Sequence, residues 1–201
     1  MAMVRIARVT DTPDAVPDSA AALSADVWRS LHEARVRAEL AAADAAAPGS
    51  DAVRVRGALL ADVAVVKGLA GPAEAAGDPA LSGADGVALA LALVALGHPL
   101  PGVFYTLSRP EPGIDPARRA ERLRLQLEAV DPALVIALDV EAAADLAEAF
   151  GTAPFVPGQM VRVLGRRVVA LEGFEASLGD AKRKRRVWEQ LKAARAEGAV
   201  Y

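Results

Sequence analysis

Apolar runs of strand length alternate with segments of helical periodicity along most of this 201-residue chain. The pattern predicts strands at 59–66, 102–107 and 133–138, with helices at 84–96 and 116–130. The first strand ends in the run VAVV, which is typical of a strand buried on both faces. We therefore predict an α/β protein of three layers (α/β/α), with helices on both faces of a central, mainly parallel four-stranded sheet.

Residues that are typical of helix starts and helix ends predict the bounds of the remaining elements. Asp115 and Pro116 are typical of a helix start, and Ser24 predicts a helix over 25–47 that ends at Pro48-Gly49. Further predicted elements are a helix at 139–150 closed by Gly151, a hairpin of 160–164 and 167–171 with Gly165-Arg166 as its turn, and a last helix from Asp180 to about 197. Trp28 and Trp188 have aliphatic neighbours at helical spacing, so we expect both in the core. Residues 1–19 are predicted to be an arm, and 1–58 are expected to pack as arm and helix on a domain formed by 59–201.

Composition limits the chemistry. The absence of cysteine excludes disulfides, thiolate metal sites, iron-sulfur clusters and cysteine nucleophiles, and two histidines are too few for a histidine-rich metal site. We expect no metal and no cofactor. No apolar run reaches the roughly 20 residues that span a bilayer, and no signal peptide is evident, so we expect a cytoplasmic protein without membrane contact. A net charge of −3 means that any nucleic-acid binding must come from a local basic face.

Four charged residues follow predicted strands directly. Open α/β sheets bind ligands beyond the carboxyl ends of their strands, where Lys67, Arg109, Asp139 and Glu172 stand. One interpretation is a polar pocket that holds a ligand or exchanges protons. The interpretation we favour is a solvated rim on which opposite charges pair.

Two segments carry a family resemblance. The loop VVKGLAGPAEAAGDPALSGADGVAL contains Gly71, Glu74, Gly83 and Gly86, and the closing segment VVALEGFEASLGDAKRKRRVWEQLK ends in a helix with Lys184, Arg185, Val187, Trp188 and Leu191. Over about residues 61 to 194 the chain resembles the uracil-DNA glycosylase superfamily, especially its bacterial and archaeal iron-sulfur branches. The resemblance implies a uracil-DNA glycosylase-like fold for 59–201, without the iron-sulfur cluster because every cysteine is absent.

The residues that the family uses for chemistry are replaced. The resemblance places Gly68 where the acidic, water-activating residue stands, Leu81 where an aromatic stacks on uracil, Leu107 near the base-reading Asn, and Gly173 at the catalytic His. Together with Gly71 and Arg109, these residues are expected to line the former ligand site. Loss of one transition-state donor costs about 10²-fold or more in rate, so we do not expect uracil excision.

The densest positive cluster lies at the start of the last helix and consists of Lys182, Arg183, Lys184, Arg185 and Arg186. Five successive residues wrap more than one turn, so we expect the stem of Arg185 or a neighbour to pack near the apolar side. The cluster is either a contact to the DNA backbone, where the resemblance places the duplex, or a solvated helix start.

Three functions follow from these observations. The leading hypothesis is a non-catalytic protein that binds a partner protein or DNA through the former substrate face. The second is an enzyme that acts on DNA bases or abasic sites with Lys67, Asp139 or Glu172, with Lys67 as an amine nucleophile if burial lowers its pKa. The third is a small-molecule binder.

Overall fold

The computed structural model describes residues 19–46, 54–111 and 113–196. Its helices are α1 (Ser19–Ala45), α2 (Pro72–Ala75), α3 (Ala84–Ala95), α4 (Pro116–Val130), α5 (Val140–Phe150), α6 (Phe174–Ser177) and α7 (Ala181–Leu191), with short 3-10 turns at Leu100–Gly102 and Lys192–Ala194. Its strands are β1 (Arg56–Gly57), β2 (Val63–Leu69), β3 (Val103–Arg109), β4 (Leu134–Ala137), β5 (Met160–Val163) and β6 (Arg166–Ala170). The predicted arm at the N-terminus and the predicted helix end at Pro48-Gly49 lie outside the described residues.

In the described part of the chain, one mixed sheet of six strands carries the fold, in the order β1-β3-β2-β4-β6-β5. The four inner strands are parallel, with Val66 opposite Thr106 and Ala137, and Ala137 opposite Ala170. β1 and β5 extend the sheet at its two edges as antiparallel strands. The α/β class is confirmed, and the expected four-stranded sheet is corrected to six strands.

Both faces of the sheet are covered, which explains why β2 is continuously apolar. Ala64 and Val66 pack in a cluster with residues of α1, α4 and α5. Val63 and Val65 pack in a second cluster with residues of α3 and α7. Successive strand residues point to opposite faces, so each apolar side chain of β2 reaches one of the two clusters.

Two helices start where the sequence predicts, whereas α1 begins at Ser19, so Ser24 lies within the helix and the prediction that it caps the helix is wrong. The Asp115 carboxylate accepts the backbone N–H of Arg118 at 3.1 Å, and the Asp139 carboxylate accepts that of Ala142 at 2.7 Å. Gly151 ends α5 in the left-handed conformation, with φ of 63°. These contacts satisfy backbone groups that a helix terminus leaves without partners. The predicted bounds of α4 are confirmed, and α5 begins one residue later than predicted, at Val140, with Asp139 as its cap.

Several local predictions differ from the structure. The strand predicted at 59–66 is β2 (Val63–Leu69), and the last helix, predicted to about 197, ends at Leu191 and is followed by a 3-10 turn. The turn between β5 and β6 is Leu164-Gly165, and not the predicted Gly165-Arg166. Both turn residues have positive φ, 48° and 84°, as this type of hairpin turn requires. The sequence did not indicate this turn, because leucine rarely adopts a positive φ. Trp28 is 62% exposed, since α1 packs on the core through Val36 and Leu40 further along. Of the helices in the described ranges, none has the length and apolar character needed to cross a membrane.

Candidate functional site: an acidic cleft at the carboxyl ends of the strands

An open cleft of about 390 Å³ lies at the carboxyl ends of the parallel strands, between the end of β2, the starts of α3 and α5, and the segment that follows β6. Its lining is formed by Lys67, Leu69, Asp85, Leu138, Asp139, Glu141, Glu172, Gly173, Phe174, Glu175 and Ala176. Three of the predicted site residues with charged side chains therefore meet in one cleft. Among the described residues, five carboxylates and one ammonium group line this cleft, so its lining carries more negative than positive formal charge.

Lys67 is the centre of a buried ionic cluster. It lies near the end of β2 and is 4% exposed. Its Nζ lies 2.7 Å from Asp85 Oδ2, 3.0 Å from Glu175 Oε2 and 3.5 Å from Glu74 Oε1. Because three carboxylates surround one ammonium group, Lys67 serves as the internal counter-ion of this end of the cleft.

The protonation of Lys67 follows from these contacts. Burial lowers the pKa of Lys67, but hydrogen bonds to Asp85 and Glu175 and the charges of Asp85 and Glu74 raise it by more, so the pKa lies above its ordinary value. The ammonium form cannot act as a nucleophile, since attack needs the free amine. The lowered pKa on which a lysine nucleophile depends is absent in this arrangement.

The carboxylates around Lys67 are held by backbone amides. Glu74 accepts the N–H of Gly71 at 3.0 Å and that of Leu81 at 2.8 Å, and Asp85 accepts the N–H of Gly86 at 2.9 Å. A Cβ at Gly71 would lie 2.8 Å from Lys67 Nζ and 2.9 Å from Glu74 Oε2. Gly71 therefore leaves room for the cluster, and its amide helps to fix it.

Asp139 joins the start of α5 to the end of β2. Its carboxylate accepts the N–H of Gly68 at 2.9 Å as well as that of Ala142 in the first turn of α5. Burial raises the pKa of Asp139, and the two backbone hydrogen bonds oppose that shift. A Cβ at Gly68 would overlap Asp139 Oδ1 and lie 2.5 Å from the Cβ of Glu141, so this close approach requires glycine.

The opposite wall of the cleft follows β6. Glu172 accepts a hydrogen bond from Gln190 of α7 at 3.2 Å and pairs with Arg186 at 3.2 Å. Gly173 has φ of 148°, a conformation that favours glycine, and it begins α6. The amide of Phe174 donates to the carbonyl of Leu138 at 2.8 Å, which ties this wall to β4.

The structure places three other predicted residues away from the cleft lining. Leu81 and Leu107 are buried in the core cluster of α3 and α7. Arg109 makes two hydrogen bonds to Asp145 of α5, at 2.9 and 3.0 Å, and Asp145 also accepts from Ser108 and pairs with Arg119. Since Asp145 is 1% exposed, Arg109 is held in a structural cluster beside the cleft.

Sequence reasoning missed the carboxylates of Glu74, Asp85, Glu141 and Glu175 as site residues. The sequence did contain an indication for Asp85, because it is the single charged residue of α3, a helix that is otherwise apolar. A carboxylate in such a helix is expected to be paired when buried. The positions of Glu74 and Glu175 depend on α2 and α6, four-residue helices that leave little pattern in the sequence.

The basic cluster of residues 182–186 is exposed throughout and lies beside the cleft. Asp180 caps α7 by accepting the N–H groups of Lys182 and Arg183 at 2.8 and 3.1 Å, and these bonds lower the pKa of Asp180. Arg185 is exposed like its neighbours, while Lys184 borders a small apolar groove between α3 and α7. Arg186 connects the cluster to the cleft through Glu172.

Comparison with protein-family models gives no match to this chain, and comparison with curated proteins gives no significant one. The resemblance to uracil-DNA glycosylases therefore stays a prediction from the motifs.

Proposed function

We propose that this protein is a non-catalytic, uracil-DNA glycosylase-like protein that binds a partner protein by receiving a Lys or Arg side chain in the acidic cleft. The observation that carries the proposal is the charge of the lining, where five carboxylates accompany a single ammonium group. That ammonium group is already engaged by Asp85, Glu175 and Glu74. The cleft thus has an excess of hydrogen-bond acceptors for a cation and repels phosphate groups.

Asp139 and Glu141 are the carboxylates that a partner cation would meet. Neither forms an ion pair with another described residue, and the Asp139 carboxylate accepts its hydrogen bonds from the backbone amides of Gly68 and Ala142. Guanidinium and ammonium groups form their strongest hydrogen bonds with carboxylates. A small free amine offers the same ammonium group, and the cleft volume lies within the range of small-molecule sites. A small amine is therefore the second candidate ligand to test.

Fluorescence anisotropy with short labelled peptides tests the proposal. The probes are a lysine-glycine peptide, an arginine-glycine peptide and a glutamate-glycine peptide of equal length, at about 0.1 M salt so that distant charges are screened. We expect one of the basic peptides to bind and the acidic peptide not to bind. Competition by n-butylammonium as strong as that of the peptide would instead assign the cleft to small amines.

A matched pair of variants locates the binding. Glu141→Gln removes a charge from the cleft, whereas Glu148→Gln removes one from the exposed side of the same helix. We expect Glu141→Gln to weaken the basic peptide about tenfold, which corresponds to about 1.4 kcal/mol, and Glu148→Gln to leave it unchanged. Equal effects of the two variants, or equal binding of the acidic peptide, contradict the proposal.

A separate assay tests the proposal that the protein does not catalyse uracil excision. Gly173 offers no side chain at the position of the catalytic His, and Leu107 has no group that hydrogen bonds a base edge. We expect no uracil release from single-stranded or duplex DNA above a buffer blank, with an active glycosylase as positive control. We also expect no borohydride-trapped adduct with abasic DNA, because Lys67 is held as ammonium. Uracil release would overturn this part while leaving peptide binding to be judged separately.

A further inference from the structure

The basic cluster of residues 182–186 meets the acidic cleft at Glu172. This residue lines the cleft and pairs with Arg186 of α7 at 3.2 Å. Gln190, one turn further along α7, donates a hydrogen bond to the same carboxylate at 3.2 Å. A helix rises about 1.5 Å per residue, so the whole cluster lies within about 6 Å of Arg186 along the axis of α7. Two surfaces of opposite charge are therefore contiguous.

Part of the cluster is turned toward the cleft and part is turned away from it. A helix advances about 100° per residue, so Lys182 and Arg183 stand about 40° and 60° from Arg186 around the axis. Lys184 and Arg185 stand about 160° and 100° from Arg186. All five residues are exposed. We call Lys182, Arg183 and Arg186 the basic face, because these cations lie on the side of α7 that a molecule seated in the cleft would approach.

The charge of the basic face is only partly compensated within the described ranges. Arg186 has Glu172 as its partner. Arg183 lies 3.8 Å from the carboxylate of Asp180, which also accepts two backbone N–H groups at the start of α7. Lys182 forms no ion pair with another described residue. The basic face can therefore accept further carboxylates beside the cleft.

We propose that the partner's binding segment carries charges of both signs, an inference that rests on the proposed function. Its Lys or Arg enters the cleft, and one or two Asp or Glu residues of the same segment contact the basic face. An extended peptide covers about 3.3 Å per residue, so carboxylates about two to four residues from the cation reach α7. Each such contact is an exposed ion pair, which strengthens binding at most about fivefold. The acidic residues therefore add affinity to a segment that its cation already holds, and they are too weak to hold it alone.

A segment of mixed charge fits the two surfaces better than a nucleic acid does. A DNA duplex carries one negative charge per about 1.7 Å of its axis, so the phosphates that reach the basic face are followed by others opposite the cleft. Five carboxylates line the cleft, and like charges placed against one another weaken binding. A segment with a cation next to its carboxylates meets an opposite charge at both surfaces.

Fluorescence anisotropy with the full chain compares two labelled peptides with blocked termini at about 0.1 M salt. One is lysine-glycine-glycine-glutamate-glutamate, and in the other both glutamates are replaced by glutamine. We expect the glutamate peptide to bind about fivefold more tightly, because it alone can pair with the basic face. Equal dissociation constants would overturn this inference and leave the proposed function standing, since both peptides would still bind through lysine. Binding of neither peptide would overturn both.

Two double variants of equal charge locate the effect. Lys182→Gln with Arg183→Gln removes two cations from the basic face, whereas Lys184→Gln with Arg185→Gln removes two that are turned away from the cleft. We expect the first variant to lose most of the affinity ratio between the two peptides and the second to keep it, with circular dichroism verifying that both fold. Equal loss in the two variants would overturn the inference. Displacement of the glutamate peptide by duplex DNA, abolished alike in both variants, would assign the cluster to nucleic acid and would overturn it as well.

Discussion

Replacing Lys67 with Met removes the positive charge from a buried cluster while keeping most of the apolar stem. The side chains of Asp85 and Glu74 are 4% and 3% exposed, so water cannot compensate them well. Removal of one partner from a buried ion pair typically costs about 3–5 kcal/mol. Backbone amides of Gly71, Leu81 and Gly86 still donate to the two carboxylates, which favours the lower end, about 3 kcal/mol. Glu175 is 51% exposed, so it adds little because solvent screens it.

The pH range of this effect follows from the pKa of Lys67. Burial lowers that pKa, but the hydrogen bonds to Asp85 and Glu175 together with the charges of Asp85 and Glu74 outweigh burial, and the folded-state pKa exceeds the ordinary 10.5. A raised lysine pKa stabilises the fold fully below pH 10.5, and the contribution is lost as the pH rises through the folded-state value. The deficit of Lys67→Met is therefore expected in full at pH 7.

Urea unfolding followed by circular dichroism at pH 7 measures the effect. We expect Lys67→Met to lower the free energy of unfolding by about 3 kcal/mol without a change in the denaturant slope. Lys192→Met is the control, because Lys192 is a partly exposed lysine paired with Glu189 at 2.8 Å, and we expect it to cost less than about 1 kcal/mol. A loss below about 1 kcal/mol for Lys67→Met would refute the ionic cluster as a stabilising element of the cleft.

Two further predictions concern the junction between the end of β2 and the start of α5. Gly68→Ala would place a Cβ against Asp139 and Glu141, so we expect the free energy of unfolding in urea to fall by about 1–3 kcal/mol. Gly102→Ala is the control, because a Cβ there meets no atom within 4 Å, and we expect it to change this free energy little. Equal effects of the two variants would contradict the close packing at Gly68. Burial is the main cause of the raised pKa of Asp139, so the folded state binds a proton more tightly than the unfolded state does. The contribution of Asp139 to stability therefore increases as the pH falls through the folded-state pKa toward the ordinary 3.8. We expect Asp139→Asn to remove that contribution, and parallel curves of unfolding free energy against pH for the natural chain and the variant would contradict it.

Helices whose boundaries are set by neighbouring residues were predictable from the sequence. Asp115 before Pro116 starts α4, and Asp139 and Gly151 bound α5, because caps act within a few residues of the helix terminus. The VAVV run of β2 was predictable because its burial on both faces leaves no polar alternation. β1 was missed, since a two-residue edge strand has no periodicity of its own.

The site was predictable where it depends on strand ends and unpredictable where it depends on packing. Lys67 lies near the end of β2, and Asp139 and Glu172 follow β4 and β6 of the same parallel sheet, so the topology alone brings them to one cleft. Arg109 is the last residue of β3, but Asp145 holds it in a neighbouring cluster. In the sequence Asp145 is an ordinary polar residue of a helix, and its burial arises only when α5 packs on β3 and α4.

Backbone amide chemical shifts during titration with the lysine-glycine or arginine-glycine peptide test the central claim most directly. The account predicts shift changes at Gly68, Gly173 and Glu175, which surround the cleft, and their loss in Glu141→Gln but not in Glu148→Gln. Addition of duplex DNA is expected to leave these cleft amides unchanged, because five carboxylates line the cleft. Changes confined to residues outside the cleft, or changes at the cleft on addition of DNA in place of the peptide, would contradict the proposed binding of a cationic side chain.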